Sequence, residues 1–228
     1  MFDELRASEY LASLVHNPLS MCTVEQYVGG LSKPSKMPWY AYNLPAAMCI
    51  MGSKLRHIRG SVCSKCYARK GRYVFPNVRA AMDRRHYEVT HRPEQWAANM
   101  IHLLQRKARG KEQWFRWHDS GDLQGIEHLD AIIWIAQNVS NVRFWLPTKE
   151  YVTALKRRAI IHKTSNLTVR VSAYMIGDVK TRCLFPTSSV NAGTISGYRC
   201  PAKSQGNICG DCRACWDRDV GNIDYPLH

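Results

Sequence analysis

The sequence predicts an α/β protein, either a partial (truncated) parallel β/α barrel or an open parallel sheet, with a small cysteine-rich C-terminal metal-binding module. Strand-like and helix-like segments alternate between residues 113 and 173, and such alternation is typical of βαβ units. This stretch is too short for a closed eight-stranded barrel, which takes about 250 residues. Residues 200–228 hold four of the nine cysteines and are too few for an ordinary hydrophobic core.

The chain is expected to divide into three parts. Residues 1–40 form an N-terminal helical and loop segment, in which glycines and prolines after residue 29 indicate turns. Residues 41–199 form the partial barrel and contain a first group of cysteines. Residues 200–228 form the cysteine-rich module, whose missing core a bound metal would replace.

The elements of the middle part follow from hydrophobic periodicity. Residues 79–109 are predicted to be helical, with Pro93 in a first-turn position and Gly110 as the stop. Residues 174–199 show little periodicity. The remaining strands are predicted at 113–118, 142–146 and 167–173, and the helices at 126–138 and 151–161.

Composition and charge limit the classes of protein. The chain is 45% hydrophobic and 22% charged, which is ordinary for a globular protein. It contains no apolar run of about 18 residues and its first residues do not resemble a signal peptide, so no membrane association and a cytoplasmic location are expected. The formal charge of +14 favours a polyanionic partner, with nucleic acid as the first candidate.

The larger group of cysteines comprises Cys200, Cys209, Cys212 and Cys215, spaced C-x8-C-x2-C-x2-C. In a reducing compartment, clustered thiols indicate metal ligands rather than disulfides. Four thiolates suit either tetrahedral zinc or an iron–sulfur cluster. We favour the cluster because consecutive C-x2-C spacings are typical of ferredoxins, and zinc is the alternative.

The smaller group comprises Cys49, Cys63 and Cys66, of which the last two form a C-x2-C pair. Three thiolates would leave one iron of a four-iron cluster without a protein ligand and therefore open to a small molecule. The alternatives are a zinc site completed by His57 and a redox dithiol. Lone cysteines are usually buried apolar side chains, and this is predicted for Cys22 and Cys183.

Polar residues follow the first two predicted strands of the βαβ region. Ligands of parallel sheets bind at the carboxyl ends of the strands, where Asp119 or Ser120 would hold an amine or hydroxyl and Gly121 would allow close approach. Simple capping of the next helix is the alternative. The expected pocket residues are Asp119, Ser120, Gly121, Asp122, Thr148, Arg170 and Ser172.

Arg170 lies within the apolar strand predicted at 167–173 and needs a partner there. An anionic carboxylate or phosphate of a ligand is one interpretation, because a guanidinium binds such groups through two hydrogen bonds. A structural salt bridge is the other. Ser172 shares the strand face of Arg170.

Several short motifs are spread along most of residues 35–228. They are Asn43–Pro45, Cys63–Ala68, Gly71–Tyr73, Phe75–Val78, Phe115–Asp122, Trp145–Thr148, Val169–Ser172, Cys200–Trp216 and Tyr225–Pro226. In combination they resemble the gene product 88 family of bacteriophages and related mobile elements. The resemblance implies a phage-encoded protein that works in the cytoplasm of the host cell.

A more distant resemblance concerns the radical S-adenosylmethionine enzymes. Cys63-x2-Cys66-Tyr67 resembles the second half of their C-x3-C-x2-C motif, although Cys49 precedes the pair by thirteen residues instead of three. Ser120-Gly121-Asp122 occupies the place of the turn that holds the methionyl amine in those enzymes. The C-terminal cysteines resemble their auxiliary-cluster modules. The resemblance implies S-adenosylmethionine at an open 4Fe-4S cluster.

The leading hypothesis is an iron–sulfur protein with an open cluster and a second, fully ligated cluster. The more distant resemblance implies catalysis in the manner of the radical S-adenosylmethionine enzymes. Such an enzyme would need an electron-donor protein as a partner. One alternative is a zinc-stabilised nucleic-acid-binding protein. Another is a redox sensor that carries a cluster without catalysing a reaction.

Overall fold

The computed structural model describes residues 1–180, 183–191, 193 and 196–227. Within these ranges one sheet contains strands β1 (Ala41–Tyr42), β2 (Gln113–Trp117), β3 (Val142–Thr148), β4 (Leu167–Ser172), β5 (Thr187–Asn191), β6 (Tyr198–Arg199) and β7 (Asn222–Pro226). Every pairing is parallel. The order is β1-β2-β3-β4-β5-β7-β6, so the sheet is open, and the predicted α/β class with an open parallel sheet is confirmed.

The helices precede the sheet or connect its strands. They are α1 (Glu4–His16), α2 (Met21–Val28), α3 (Ile50–Leu55), α4 (Pro76–His91), α5 (Pro93–Ala108), α6 (Ile126–Asn138), α7 (Tyr151–Lys156) and α8 (Arg158–Lys163). In the described part of the chain, none of them is long and apolar enough to cross a membrane.

The stretch predicted to be helical, residues 79–109, forms two helices in the structure, α4 and α5. Pro93 begins α5 in the first-turn position predicted for it. Proline also disfavours helical backbone in the residue before it, and Arg92 has φ −139° and ψ 49°. The chain therefore turns between α4 and α5. The helix predicted at 151–161 is likewise divided, at Arg157.

The two faces of the sheet have different coverings. On one face, Phe115, Trp117 and Phe144 are fully buried in the main hydrophobic core, which α5 and α6 complete. On the other face, Trp145 packs against Trp216 with ring centroids 5.3 Å apart. Alternation of side chains along each strand thus gives the sheet an apolar helix-covered face and a second face covered by the cysteine-rich segment.

The structure connects the first and last parts of the chain to the sheet. Ala7 in α1 and Val24 in α2 are fully buried and belong to the main hydrophobic core. Residues 222–226 form β7, which pairs with β5 on one side and β6 on the other. The domain boundaries at residues 40 and 199 stay a prediction. In the structure, the N-terminal part packs in the core of the middle part, and the C-terminal part is hydrogen bonded to its sheet.

Candidate functional site

The smaller group of cysteines lies in the segment that follows β1. Cys49 precedes the first residue of α3, and Cys63 lies in a short 3-10 helix that ends just before Cys66. A Cβ atom placed on Gly52 would lie 3.6 Å from Cys49 Sγ and 3.7 Å from Cys63 Sγ, so both sulfurs face this glycine. The Cys66 amide donates to the Cys63 carbonyl over 3.3 Å, which fixes the C-x2-C turn.

The three thiols share one electrostatic environment. Burial raises the pKa of the Cys49 thiol, and the charges of Asp122, Cys66 and Cys63 raise it further. Burial also raises the pKa of the Cys63 thiol, whereas the Lys149 ammonium lowers it. Because their pKa values are raised, the Cys49 and Cys63 thiols would ionise most readily with a cation bound beside them.

Asp122 connects the end of β2 to the end of β3. Its carboxylate accepts hydrogen bonds from Thr148 Oγ1 at 2.6 Å, from the Lys149 amide at 2.9 Å and from the Leu123 amide at 2.8 Å. Burial raises the pKa of Asp122, and these hydrogen bonds oppose the shift. Asp122 and Thr148, both predicted pocket residues, are therefore partners of each other at the carboxyl edge of the sheet.

Glu150 attaches the cysteine-bearing segment to the same edge. Its Oε1 accepts a hydrogen bond of 2.7 Å from the amide of Met51, in the first turn of α3. Burial raises the pKa of Glu150, and the Met51 amide opposes the shift. Cys49 is thereby held above the ends of β2 and β3.

Asp119 is the second polar anchor at this edge. Its carboxylate accepts from Tyr73 Oη at 3.0 Å, Ser32 Oγ at 3.2 Å and Asn43 Nδ2 at 3.4 Å, while its carbonyl accepts from the Tyr67 hydroxyl. Tyr67 and Tyr73 both follow the C-x2-C pair in the sequence. Neither tyrosine is among the expected pocket residues, because no local sequence pattern shows that they reach residue 119.

Ser120 and Gly121 contact Leu44, which follows β1 in the chain. Ser120 Oγ donates to the Leu44 carbonyl over 2.9 Å, and the Leu44 amide donates to the Ser120 carbonyl over 2.9 Å. Gly121 has φ +85°, and a Cβ there would lie 2.8 Å from the Leu44 oxygen. The close approach predicted for Gly121 is therefore made by the β1 backbone.

The larger group of cysteines lies beside the edge of the sheet formed by β6 and β7. The Cys200 amide donates to the Asp224 carbonyl over 2.9 Å, and the Cys212 amide donates to the Cys209 carbonyl over 3.1 Å. Cys215 Sγ lies 3.1 Å from Tyr225 Oη. Burial raises the pKa of the Cys215 thiol to about 12, and the charge of Cys200 raises it as well.

Two arginines lie on the sheet face beside this group, Arg116 partly buried and Arg170 fully buried. Arg116 packs on the Trp145 ring, 4.5 Å from its centroid. Burial lowers the pKa of Arg116, but the charges of Tyr67 and Asp119 outweigh that effect and raise it. Arg116 also acts on Cys215, so it lies between the two groups of cysteines. Arg116 is not among the expected pocket residues, although a cation inside the aromatic strand β2 could have indicated it.

Arg170, a predicted pocket residue, is fully buried and contacts backbone carbonyls of the C-terminal segment. Its Nη1 donates to the Thr187 carbonyl at 2.9 Å and the Val220 carbonyl at 2.8 Å, and its Nη2 donates to the Asp217 carbonyl at 2.7 Å. Ser172 lies near the end of the same strand, where Ser188 Oγ approaches its hydroxyl at 3.1 Å. Neither residue contacts the Asp119 or Asp122 network through these bonds.

The remaining cysteines differ from each other. Cys22 is exposed, so its predicted burial is wrong; helix α2 turns this residue toward solvent while Val24 and Val28 face the core. Cys183 is partly buried and packs against the main hydrophobic core. His57 is exposed, and its Nε2 accepts a hydrogen bond of 2.8 Å from Arg56 Nε.

Within the described residues, no three His, Cys, Asp or Glu side chains converge closely enough to hold one metal ion. A zinc ion binds its sulfur ligands at about 2.3 Å, so four such ligands must nearly touch. In a 4Fe-4S cluster each thiolate binds a different iron, so the ligands stand farther apart. The number and softness of the thiols fit a cluster in both groups, and metal binding itself stays a prediction.

Fold and site together define an α/β protein with an open parallel sheet and two groups of neighbouring thiols. A family model, gene product 88, matches residues 21–218. The chain belongs to the gene product 88 family, which confirms the resemblance found in the motifs. Searches of curated proteins and of solved structures found no significant match. The radical S-adenosylmethionine resemblance stays a prediction.

Proposed function

We propose that the protein is an iron–sulfur protein whose smaller cysteine group, Cys49, Cys63 and Cys66, holds an open 4Fe-4S cluster. The observation that carries this proposal is the placement of the three thiols. They come from one segment after the first strand and lie at the carboxyl edge of a parallel sheet, where ligands of such sheets bind. The nearby Lys149 ammonium, which lowers the pKa of the Cys63 thiol and acts on Cys49 in the same direction, suits an anionic thiolate cluster.

The larger group, Cys200, Cys209, Cys212 and Cys215, would hold a second, fully ligated cluster. Soft thiolates in this number suit iron–sulfur chemistry. The Tyr225 hydroxyl lies within hydrogen-bond reach of Cys215 Sγ, and the Tyr198 hydroxyl lies 3.4 Å from Cys212 Sγ. Hydrogen bonds to cluster sulfurs tune reduction potentials, so these tyrosines would adjust an electron-transfer role.

The small molecule at the open cluster would be S-adenosylmethionine. When bound, the cluster would supply one-electron chemistry to that sulfonium. The protein's part is to position the ligand and exclude water. Asp119 would face it with a carboxylate held by Tyr73, Ser32 and Asn43. Asp122, Thr148 and Glu150 would keep the cysteine segment in place.

Metal analysis of the protein purified without oxygen tests the proposal. We expect iron and acid-labile sulfide together with charge-transfer absorbance in the visible range. Cys63→Ala should lose the iron of the smaller group and Cys212→Ala that of the larger group. Cys22→Ala, which changes an exposed cysteine outside both groups, should retain all of it. Stoichiometric zinc with neither iron nor sulfide would refute the proposal.

A second measurement separates an enzyme from a sensor. Reduced protein incubated with S-adenosylmethionine should release 5′-deoxyadenosine if the open cluster is catalytic. Binding of S-adenosylmethionine without this product would favour a regulatory iron–sulfur protein. If the protein is instead a zinc-stabilised nucleic-acid-binding protein, it should neither bind S-adenosylmethionine nor release 5′-deoxyadenosine.

A further inference from the structure

Residues 26–82, here called the basic segment, differ from the rest of the chain in charge. They contain ten of the 32 Lys and Arg residues and none of the 18 Asp and Glu residues. The segment therefore carries +10 of the total formal charge of +14. An excess this concentrated creates a local positive field that attracts polyanions.

The basic side chains of this segment are free to contact a partner. Among the ion pairs of the described residues, none includes a lysine or arginine from 26–82. Only Lys36 among the ten is partly buried. The exposed ones are Lys33, Lys54, Arg56, Arg59, Lys65, Arg69, Lys70, Arg72 and Arg79.

Apolar and aromatic side chains are exposed between these cations. Phe75 is 53% exposed, Ile58 47% and Tyr67 45%. The Tyr67 hydroxyl is buried and donates to the Asp119 carbonyl, so its exposed ring is held in a fixed orientation. Fixed exposed rings among cations are the pattern of proteins that stack unpaired bases while binding the phosphate backbone.

The same segment carries the smaller cysteine group. Lys65 lies between Cys63 and Cys66, and Arg69 follows three residues later. Hydrogen bonds from Tyr67 and Tyr73 to Asp119 fasten this part of the chain to the end of β2. A polyanion held by these cations would therefore lie directly beside the thiols.

We propose that the basic segment binds a single-stranded nucleic acid and presents it to the Cys49, Cys63 and Cys66 site. The substrate role rests on the proposed function, whereas the binding itself depends on the cations and rings alone. A single strand fits better than a duplex because its bases are free to stack on exposed rings. An acidic peptide would satisfy the cations but would leave Phe75 and Tyr67 without stacking partners.

Affinity measurements test the binding surface. The probe is a labelled mixed-sequence RNA or DNA strand of about 20 nucleotides, titrated at several salt concentrations. The double variant Arg69→Glu/Lys70→Glu should weaken binding about tenfold and reduce the magnitude of the salt slope by about 1.4, the value for two phosphate contacts. Lys156→Glu/Arg158→Glu changes the net charge equally at another exposed basic cluster and should change affinity less than threefold.

Competition and cross-linking complete the test. A photoreactive base should cross-link to residues within 50–79. Equal weakening by the two double variants, cross-links outside the basic segment, or equally tight binding of polyglutamate would overturn the inference. Cys63→Ala separates the two proposals: it should lose iron yet keep oligonucleotide affinity. Iron-containing protein that binds no oligonucleotide refutes only this inference, and iron-free protein that binds through the segment refutes only the proposed cluster.

Discussion

Single buried side chains decide how the C-terminal segment attaches to the sheet. Arg170 is completely buried, and its guanidinium contacts carbonyl oxygens of β5 and of residues 214–221. Both Nη groups of the guanidinium are paired with these carbonyls, which offsets the cost of burying a cation. Arg170 therefore attaches the segment after the last cysteine to β4 and β5.

Arg170→Lys should lower the free energy of unfolding by about 3 kcal/mol or more, because a lysine cannot reach these carbonyls on both sides. Urea unfolding measures the loss. Arg143→Lys is the matched control, since Arg143 forms a largely exposed ion pair with Glu112 and such pairs contribute at most about 1 kcal/mol. Equal losses in the two variants would show that the hydrogen bonds of Arg170 stabilise the fold no more than an exposed ion pair does.

His118 is a second buried group with consequences for stability. It lies at the end of β2 with φ +54° and is 3% exposed. Neither of its ring nitrogens has a hydrogen-bond partner among the described residues. Burial lowers the pKa of His118 to about 3, and the charge of Arg116 lowers it further. Burial also lowers the pKa of neighbouring His128, whose ring centroid is 5.2 Å away.

The stability of the protein should fall as the pH drops from about 6.5 towards 3. In that range the unfolded chain binds protons that the folded His118 and His128 exclude, so each residue contributes a slope of up to about 1.4 kcal/mol per pH unit. Above pH 6.5 this contribution to stability is complete. Asparagine tolerates the positive φ of this position. His118→Asn should therefore remove the contribution of one histidine to the slope of unfolding free energy against pH. Urea unfolding at several pH values measures this slope.

Exposed His16 provides the control for this pH dependence. His16→Asn should leave the slope as in the original protein, because this residue lies at the surface of α1. If His118→Asn retained the full acid slope, His118 would not be held neutral in the folded state.

Among the elements, β1 is short but carries the cysteine segment. It has two residues, which pair with β2, and Ala41 forms an isolated antiparallel bridge with Ser32. Ser120 and Gly121 extend this attachment beyond the strands through their contacts with Leu44. The position of the smaller cysteine group therefore depends on the close contact between Gly121 and Leu44.

Gly121→Ala should be more destabilising than Gly110→Ala. Both glycines have positive φ, +85° and +72°, so both variants incur backbone strain of about 1 kcal/mol. At Gly121 the new Cβ would also lie 2.6 Å from Leu44 Cβ, whereas at Gly110 nothing lies within 4 Å. The added overpacking should cost about 1–3 kcal/mol more in thermal or urea unfolding. Equal destabilisation by the two substitutions would mean that β1 can move away from residue 121 without loss of stability.

The sequence is informative about β2, β3, β4 and α6 because their side chains are mostly apolar and follow the period of the element. It is uninformative about β5 and β7. Thr187, Ser189 and Asp224 are buried in these strands. Their partners come from distant parts of the chain: Ser189 Oγ donates to Asp224 Oδ1, and Thr187 Oγ1 donates to Asn222 Oδ1. Hydrophobic periodicity cannot detect a strand whose buried side chains are polar.

The residues of the candidate site, like the strands, are predictable only where a local sequence pattern marks them. Local spacing identifies Cys63, Cys66 and the C-x2-C pairs of the larger group, since both residues of each pair lie on one turn. The proximity of Cys49 and Cys63, and the carbonyl partners of Arg170, arise between residues that only the fold brings together. Sequence patterns hold no information about such partners.

At the scale of the whole molecule, the cysteine-rich segment covers the second face of the sheet. Trp216 lies against Trp145 and Trp114, with ring centroids 5.3 Å and 5.9 Å away, and its Nε1 donates to the Phe115 carbonyl over 2.8 Å. The Thr168 hydroxyl donates to the Trp216 carbonyl over 2.6 Å. Burial of this side chain therefore joins the larger cysteine group to the centre of the sheet.

Trp216→Ala should lower the free energy of unfolding by about 3–5 kcal/mol, the usual loss for a buried tryptophan. Leu5→Ala, at a position 72% exposed, should change it by less than about 0.5 kcal/mol. The difference should persist after treatment with a chelator, because it reflects packing on the sheet. A loss that disappeared on chelation would assign the role of Trp216 to metal binding instead.

The position of β7 between β5 and β6 has a consequence for synthesis on the ribosome. Chains fold from the N-terminal side as they emerge, at about 5–20 residues per second. The four thiols at 200–215 leave the ribosome before residues 222–226 can pair with β5 and complete the edge around them. Oxidants therefore have their greatest access to these sulfurs in the nascent chain, before the last strand has been made.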